Sequence, residues 1–203
     1  MGGNAVDAAV ATGFALAVTW PSAGNIGGGG FMTAMTPSGE AFFIDFREKA
    51  PAAASRDMYL DAGGEVIEGL STLGHLSCGV PGTVAGLYKA WRMHGTLPWK
   101  DLVDPAVSLA EDGFEVSAHL ATSLERLSDH VSDHPGLSKF LGEGGEPLEP
   151  GDLLVQPELA AVLVEIAGKG KDGFYGGRVA SLIAAEMAGG GGCMTLDDLG
   201  RYE

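Results

Sequence analysis

The chain has little cysteine, little positive charge and no long apolar run, and each shortage excludes something. Its two cysteines, Cys78 and Cys193, form no C-x-x-C pair, so neither a disulfide framework nor a cysteine-built zinc site is expected. Both thiols are expected to be free and fairly buried. Lys and Arg number 12 against 27 Asp and Glu over 203 residues, a net charge of −15. Nucleic acid and anionic membrane surfaces both reward a basic face, so neither is expected as a partner. Any functional cation must work locally.

The stretch from Ala8 to Trp20 is uncharged and largely apolar, yet it falls well short of the roughly 20 residues that a membrane-spanning helix needs. No Lys or Arg precedes Arg47, which removes the basic start of a signal peptide. The sequence as it stands therefore shows no export or anchoring signal. Hydrolase nucleophile motifs are missing as well, since neither G-x-S-x-G nor S-x-x-K occurs. Of the 33 glycines, two runs, Gly27 to Gly30 and Gly189 to Gly192, invite a phosphate-loop reading. Neither completes G-x-G-x-x-G or a Walker-type pattern, and the first leads into a strand instead of a helix N-terminus. Their expected roles are tight turns and close backbone approach.

What is present is a foldable chain, 45% apolar and 19% charged, too apolar for a disordered segment. Val6, Val10, Phe14 and Val18 recur at spacing four behind an Asn4-x-x-Asp7 capping box, which predicts an amphipathic helix stopped by Pro21. Two apolar stretches, Phe31 to Thr36 and Ala41 to Phe46, flank the turn residues Pro37 to Glu40 and predict a β-hairpin, the one convincing sheet. From Pro81 the period changes to about 3.6. Val84, Leu87, Tyr88 and Trp91 share a face ended by Gly95. Asp104-Pro105 reads as an N-cap and first-turn pair closed by Gly113. Leu120, Leu124, Leu127 and Val131 form another stripe, followed by Leu159, Val162, Leu163 and Ile166, then Val179, Leu182, Ile183 and Met187. A last helix opens at Thr195 with Asp198 in the acidic position of its capping box. A lone hairpin is marginal in water, so further strands of the same sheet are expected before Met1 or after Glu203.

Candidate chemistry is sparse. His130 and His134 stand at i, i+4 beside Asp129 and Asp133, but without an H-E-x-x-H pattern and with Pro135 adjacent they read as a solvated helix end and not a metal site. His75, His94 and His119 read as surface or capping residues. The carboxylate pairs Asp197-Asp198 and Glu111-Asp112 fall at helix ends, where they suit the macrodipole or a cap. One cation stands out: Arg47, at the end of a strand in IDFREKAP. A guanidinium there can clamp a carboxylate through two charge-assisted hydrogen bonds, or pair locally with Asp45 or Glu48.

Seven segments in order, GGNAVDAAVA (from Gly2), SAGNIGGGGFM (from Ser22), IDFREKAP (from Ile44), GVPGTVAGLYKAW (from Gly79), LPWKDLVDPAVSLAEDGF (from Leu97), FYGG (from Phe174) and MTLDDLGRY (from Met194), resemble the γ-glutamyltransferase (γ-glutamyltranspeptidase) family over essentially the whole chain. The resemblance implies an α+β fold: residues 1–79 as part of the αββα sandwich of an N-terminal nucleophile hydrolase, with the glycine loop and a substrate arginine, and residues 80–203 as a mainly helical region of the large subunit. It implies a precursor that cuts itself in two, whose new N-terminal Thr, in a Thr-Thr-His type motif, attacks a γ-glutamyl amide such as that of glutathione. The γ-glutamyl group then passes to water, an amino acid or a peptide. No Thr-His pair occurs here. The chain is therefore expected to be inactive alone, to match the front of the large subunit from some tens of residues past its usual start, and to need the small subunit as partner. The nucleophile is expected downstream of Glu203.

By resemblance Arg47 holds the α-carboxylate of the γ-glutamyl group, while no catalytic residue, cofactor or metal is implied within the chain. Family members are commonly periplasmic or extracellular. Two other readings stay open: a cephalosporin- or poly-γ-glutamate-acting acylase on the same scaffold, and a non-catalytic helical module that binds a protein through its apolar faces.

Overall fold

The computed structural model describes residues 2–128, 131, 135–142 and 144–203. Helix α1 (Ala5–Thr19) starts where the sequence places it, with the Asn4 side chain accepting from the N–H groups of Val6 at 2.8 Å and Asp7 at 3.0 Å, and the Asp7 carboxylate accepting from the Asn4 N–H at 2.9 Å. Its stripe of Val6, Val10, Phe14 and Val18 is buried. Filling that stripe with apolar side chains, at roughly 1.5–3 kcal/mol for each one fully buried, is what holds the helix in place. Strands β1 (Phe31–Met35) and β2 (Ala41–Asp45) form the expected antiparallel hairpin, with Phe31 opposite Asp45 and Met35 opposite Ala41.

The second part is helical: α2 (Thr83–His94), α3 (Trp99–Glu111), α4 (Ala118–Ser128), α5 (Pro157–Lys169), α6 (Asp172–Tyr175), α7 (Gly177–Gly189) and α8 (Leu196–Gly200). Two-residue strands β3 (Phe114–Glu115) and β4 (Leu153–Leu154) pair beside α4. Residues 50–79 are mostly turns. Helix α1 packs on α2 and α3, and α3 packs on α5. At the centre, Trp99 meets Phe14 edge-on at 5.5 Å and donates its indole N–H to the Ile166 carbonyl at 2.8 Å. A smaller apolar cluster of Val116, Leu120, Leu124, Leu148 and Leu154 lies under α4.

Several local expectations need correction. Asp104-Pro105 does not open a helix: α3 begins at Trp99, and Pro105 lies in its interior. Burial of Trp99, Leu102, Val103, Ala106 and Ala110 along one stripe outweighs the hydrogen bond that Pro105 cannot donate. Asp104 instead accepts from the Lys100 ammonium one turn earlier, at 2.5 Å. Leu182 is 54% exposed, so the buried face of α7 is carried by Val179 and Ala180. Both thiols are free, but Cys78 is exposed, because it ends the irregular stretch outside the core. The 129–134 histidine and aspartate cluster falls on positions of which only Val131 is among the described residues.

Candidate functional site

Strand β2 runs into the only cation that the sequence singled out. Pairing with the glycine run continues one residue past the strand: Gly30 donates to the Phe46 carbonyl at 3.2 Å and Phe46 donates back to Gly30 at 2.9 Å. The Gly28 carbonyl accepts the N–H groups of Gly82 at 2.7 Å and Thr83 at 3.0 Å, at the start of α2. Those donors would otherwise invite an anion. The glycine run thus closes a helix end with its own backbone, in keeping with turn geometry and against a phosphate loop.

Two glycines allow the close approach. A Cβ on Gly29 would lie 2.4 Å from the Phe46 oxygen and 2.9 Å from the Arg47 Cα, and one on Gly82 would lie 2.0 Å from both the Phe46 oxygen and the Tyr202 hydroxyl. Only glycine fits at either place. The Arg47 N–H donates to the Asp45 carboxylate at 3.0 Å, and the Arg47 carbonyl accepts the Tyr202 hydroxyl at 2.7 Å. Further on, Lys49 and Val80 exchange backbone hydrogen bonds, and the Ala52 N–H donates to Asp198 at 2.7 Å. The backbone of residues 46–52 is therefore fixed at many points.

The side chain of Arg47 is free by comparison. It is 61% exposed, its Nε donates to Glu48 at 3.0 Å, and its guanidinium sits 5.6 Å from the centre of the Phe31 ring. Of the two local carboxylates that the sequence offers, Glu48 takes the side chain and Asp45 takes the backbone N–H. An exposed pair of this kind is worth about 0–1 kcal/mol, so Glu48 holds the guanidinium only weakly against an incoming carboxylate.

The surroundings of Tyr202 keep its hydroxyl a donor. Burial first, then the charges of Asp45 and Glu48, raise its pKa above the ordinary 10.0. Its ring stacks on Tyr175 at 5.6 Å, and Tyr175, whose pKa is raised chiefly by burial, donates to the Pro81 carbonyl at 2.8 Å. A cleft of about 350 Å³ opens beside the end of β2, lined by Asp45, Tyr88, Lys89, Arg92, Lys171 and Tyr202 among others; Arg47 is not part of its lining. Beyond Arg47, the outward side chains of the hairpin, Phe31, Met35 and Phe43, are 56%, 72% and 59% exposed. Among the described residues, no three His, Cys, Asp or Glu side chains gather closely enough to hold a metal ion, and no helix is long and apolar enough to cross a membrane.

The sequence singled out Arg47 but not the residues that hold the backbone of its stretch. Tyr202 and Asp198 lie about 150 positions away along the chain; in the sequence Asp198 reads only as part of a local capping box, and Tyr202 only as the end of the segment MTLDDLGRY.

Taken together, the helix-backed hairpin and the helical layer after it match, as a part, solved structures of the N-terminal nucleophile hydrolase fold. The family model for gamma-glutamyltranspeptidase matches residues 1–203. The chain belongs to the gamma-glutamyltranspeptidase family. It is 48% identical over 203 residues to a glutathione hydrolase proenzyme of Pseudomonas sp. (strain A14), which covers 100% of this chain and 35% of that protein. It superposes on the crystal structure of the Helicobacter pylori gamma-glutamyltranspeptidase with a TM-score of 0.97 at 46% identity, covering 100% of this chain and 58% of that one. A cephalosporin acylase from Bacillus halodurans shares the scaffold at 26% identity and a TM-score of 0.86, covering 99% of this chain and 38% of that one. The chain thus spans about a third of the length of the curated relative that it matches.

Proposed function

We propose that the chain is the substrate-carboxylate arm of an enzyme that cleaves γ-glutamyl amides, such as that of glutathione, and passes the γ-glutamyl group to water or to an amino acid or peptide. Arg47 binds the donor's α-carboxylate. The acyl carbon moves from the amide nitrogen to the hydroxyl of a Thr supplied by the small subunit; the amine leaves protonated, and water or an amine then takes the acyl group from the ester. Residues 1–79 contribute the sandwich portion and residues 80–203 the helical support.

One observation carries this reading: an arginine with a fixed backbone and a loosely held, exposed guanidinium, in a chain of net charge −15. The bare hairpin face beside it, with Phe31, Met35 and Phe43 unburied, supports docking of the small subunit's sheet there. The much higher identity to a gamma-glutamyltranspeptidase than to a cephalosporin acylase favours γ-glutamyl donors over β-lactam side chains.

The test is kinetic, in the full-length processed enzyme. Arg47→Lys keeps the charge but loses the two-pronged geometry. A lost charged hydrogen bond costs roughly 1.5–3 kcal/mol, so KM for a γ-glutamyl anilide is expected to rise roughly ten- to hundredfold with a smaller change in kcat. An unchanged KM sinks the assignment. The 203-residue chain by itself is expected to release no chromophore from the same anilide, since it contains no Thr-His pair.

A further inference from the structure

The segment Met194–Tyr202 is unexplained by substrate binding as described. It opens with a capping box, in which the Thr195 hydroxyl accepts from Asp198 N–H and Asp198 accepts from Thr195 N–H at 2.8 Å, so that a five-residue helix, α8, stands well formed. The segment then makes two hydrogen bonds to the stretch that begins at Arg47. Asp198 takes the Ala52 N–H, and Tyr202 gives its hydroxyl to the Arg47 carbonyl.

The second contact falls on the residue that matters. The Cα of Arg47 is pressed from one side by Gly29, where no Cβ fits, and its carbonyl is held by Tyr202. Its N–H is held by Asp45. The phenol itself cannot wander, since its ring is stacked on Tyr175, within 11° of parallel, and Lys49 lies 5.5 Å from the ring centre. A long side chain such as arginine has several rotatable bonds, and its tip is accurate only if its root is fixed.

We propose that Tyr202 is a positioning residue for Arg47, fixing through its hydroxyl the carbonyl from which the guanidinium is aimed at the donor's α-carboxylate. The proposal rests on the reading that Arg47 binds that carboxylate. Acting only through the Arg47 backbone, Tyr202 affects the donors that Arg47 recognises and no others.

The experiment uses Tyr202→Phe in the full-length processed enzyme, which keeps the stacked ring and removes the one hydroxyl. Two donors are compared: a γ-glutamyl anilide, and the same compound with its α-carboxylate replaced by a primary carboxamide. Loss of a neutral hydrogen bond spans roughly a two- to tenfold effect. KM for the carboxylate donor is expected to rise by that factor while kcat changes much less, and the carboxamide donor is expected to show no comparable rise. An unchanged KM in Tyr202→Phe, or an equal loss for both donors, overturns the proposal. Arg47→Lys separates the two levels. If it raises KM while Tyr202→Phe does not, the positioning role alone fails. If Arg47→Lys leaves KM unchanged, the carboxylate-binding reading fails beneath it.

Discussion

Asp7 shows how much one residue carries beyond its helix cap. Only 2% exposed, it accepts the N–H of Asn4, the N–H and hydroxyl of Thr96, and the N–H of Leu97, so that it ties the start of α1 to the loop between α2 and α3. Burial pushes its pKa up, but those hydrogen bonds together outweigh burial and hold it below the ordinary 3.8. A depressed folded-state pKa contributes stability that is present above the unfolded value and lost as pH falls through the folded one. Asp7→Asn is therefore expected to cost about 2 kcal/mol near neutral pH, with the gap to wild type closing as the pH drops below 3.8; urea denaturation at several pH values measures it. Nearby, the Nε2 of His94 is buried without a partner while the ring stacks on Phe42 at 4.1 Å. His94→Phe keeps the stack and removes the unpaired nitrogen, and is expected to stabilise the fold by about 1 kcal/mol, seen as a higher Tm. The capping box Asn4-x-x-Asp7 was legible in the sequence because its partners are three residues apart. The Asp7 to Thr96 contact, like Tyr202 to Arg47, was not, because nothing local encodes a meeting across 89 or 155 positions.

At the scale of elements, period and punctuation were readable wherever an element was long enough to repeat. Helix α1, the hairpin, α2, α5 and the small capped α8 follow from apolar spacing and caps. The β3 and β4 pair was not readable, since two residues cannot show an alternation. Helix α3 is the instructive miss. A proline was taken as a beginning because that is where prolines sit comfortably, yet here the apolar stripe extends a turn and a half further back, to Trp99. The cost remains in the fold and is measurable. Pro105 is exposed, so Pro105→Ala restores a helix donor without disturbing the core. Interior proline costs about 3 kcal/mol relative to alanine, less up to about 1 kcal/mol for the stiffer unfolded chain that it provides. A gain of about 2 kcal/mol is expected, as a higher urea midpoint at unchanged slope.

For the whole molecule, the opposing features are an apolar sheet face and a strongly acidic charge. The face presents Phe31, Met35 and Phe43, with the two phenylalanine rings stacked at 5.6 Å across the hairpin, and both strand edges lack a neighbour among the described residues. A face of this kind drives association, while the net charge of −15 opposes it between copies of the chain. Salt separates the two, because screening shortens the reach of charge repulsion from about 30 Å at 0.01 M to about 8 Å at 0.15 M and leaves apolar burial nearly untouched. The 203-residue chain by itself is therefore expected to self-associate more as salt rises, the reverse of an assembly held by ion pairs. Replacing Met35 and Phe43 with Ser is expected to abolish that salt-promoted association in sedimentation experiments. Both side chains are more than half exposed, so thermal stability is expected to stay within about 0.5 kcal/mol of wild type per substitution. Persistence of association in the double variant would move the sticky surface away from the hairpin, and with it the support for docking the small subunit's sheet on that face.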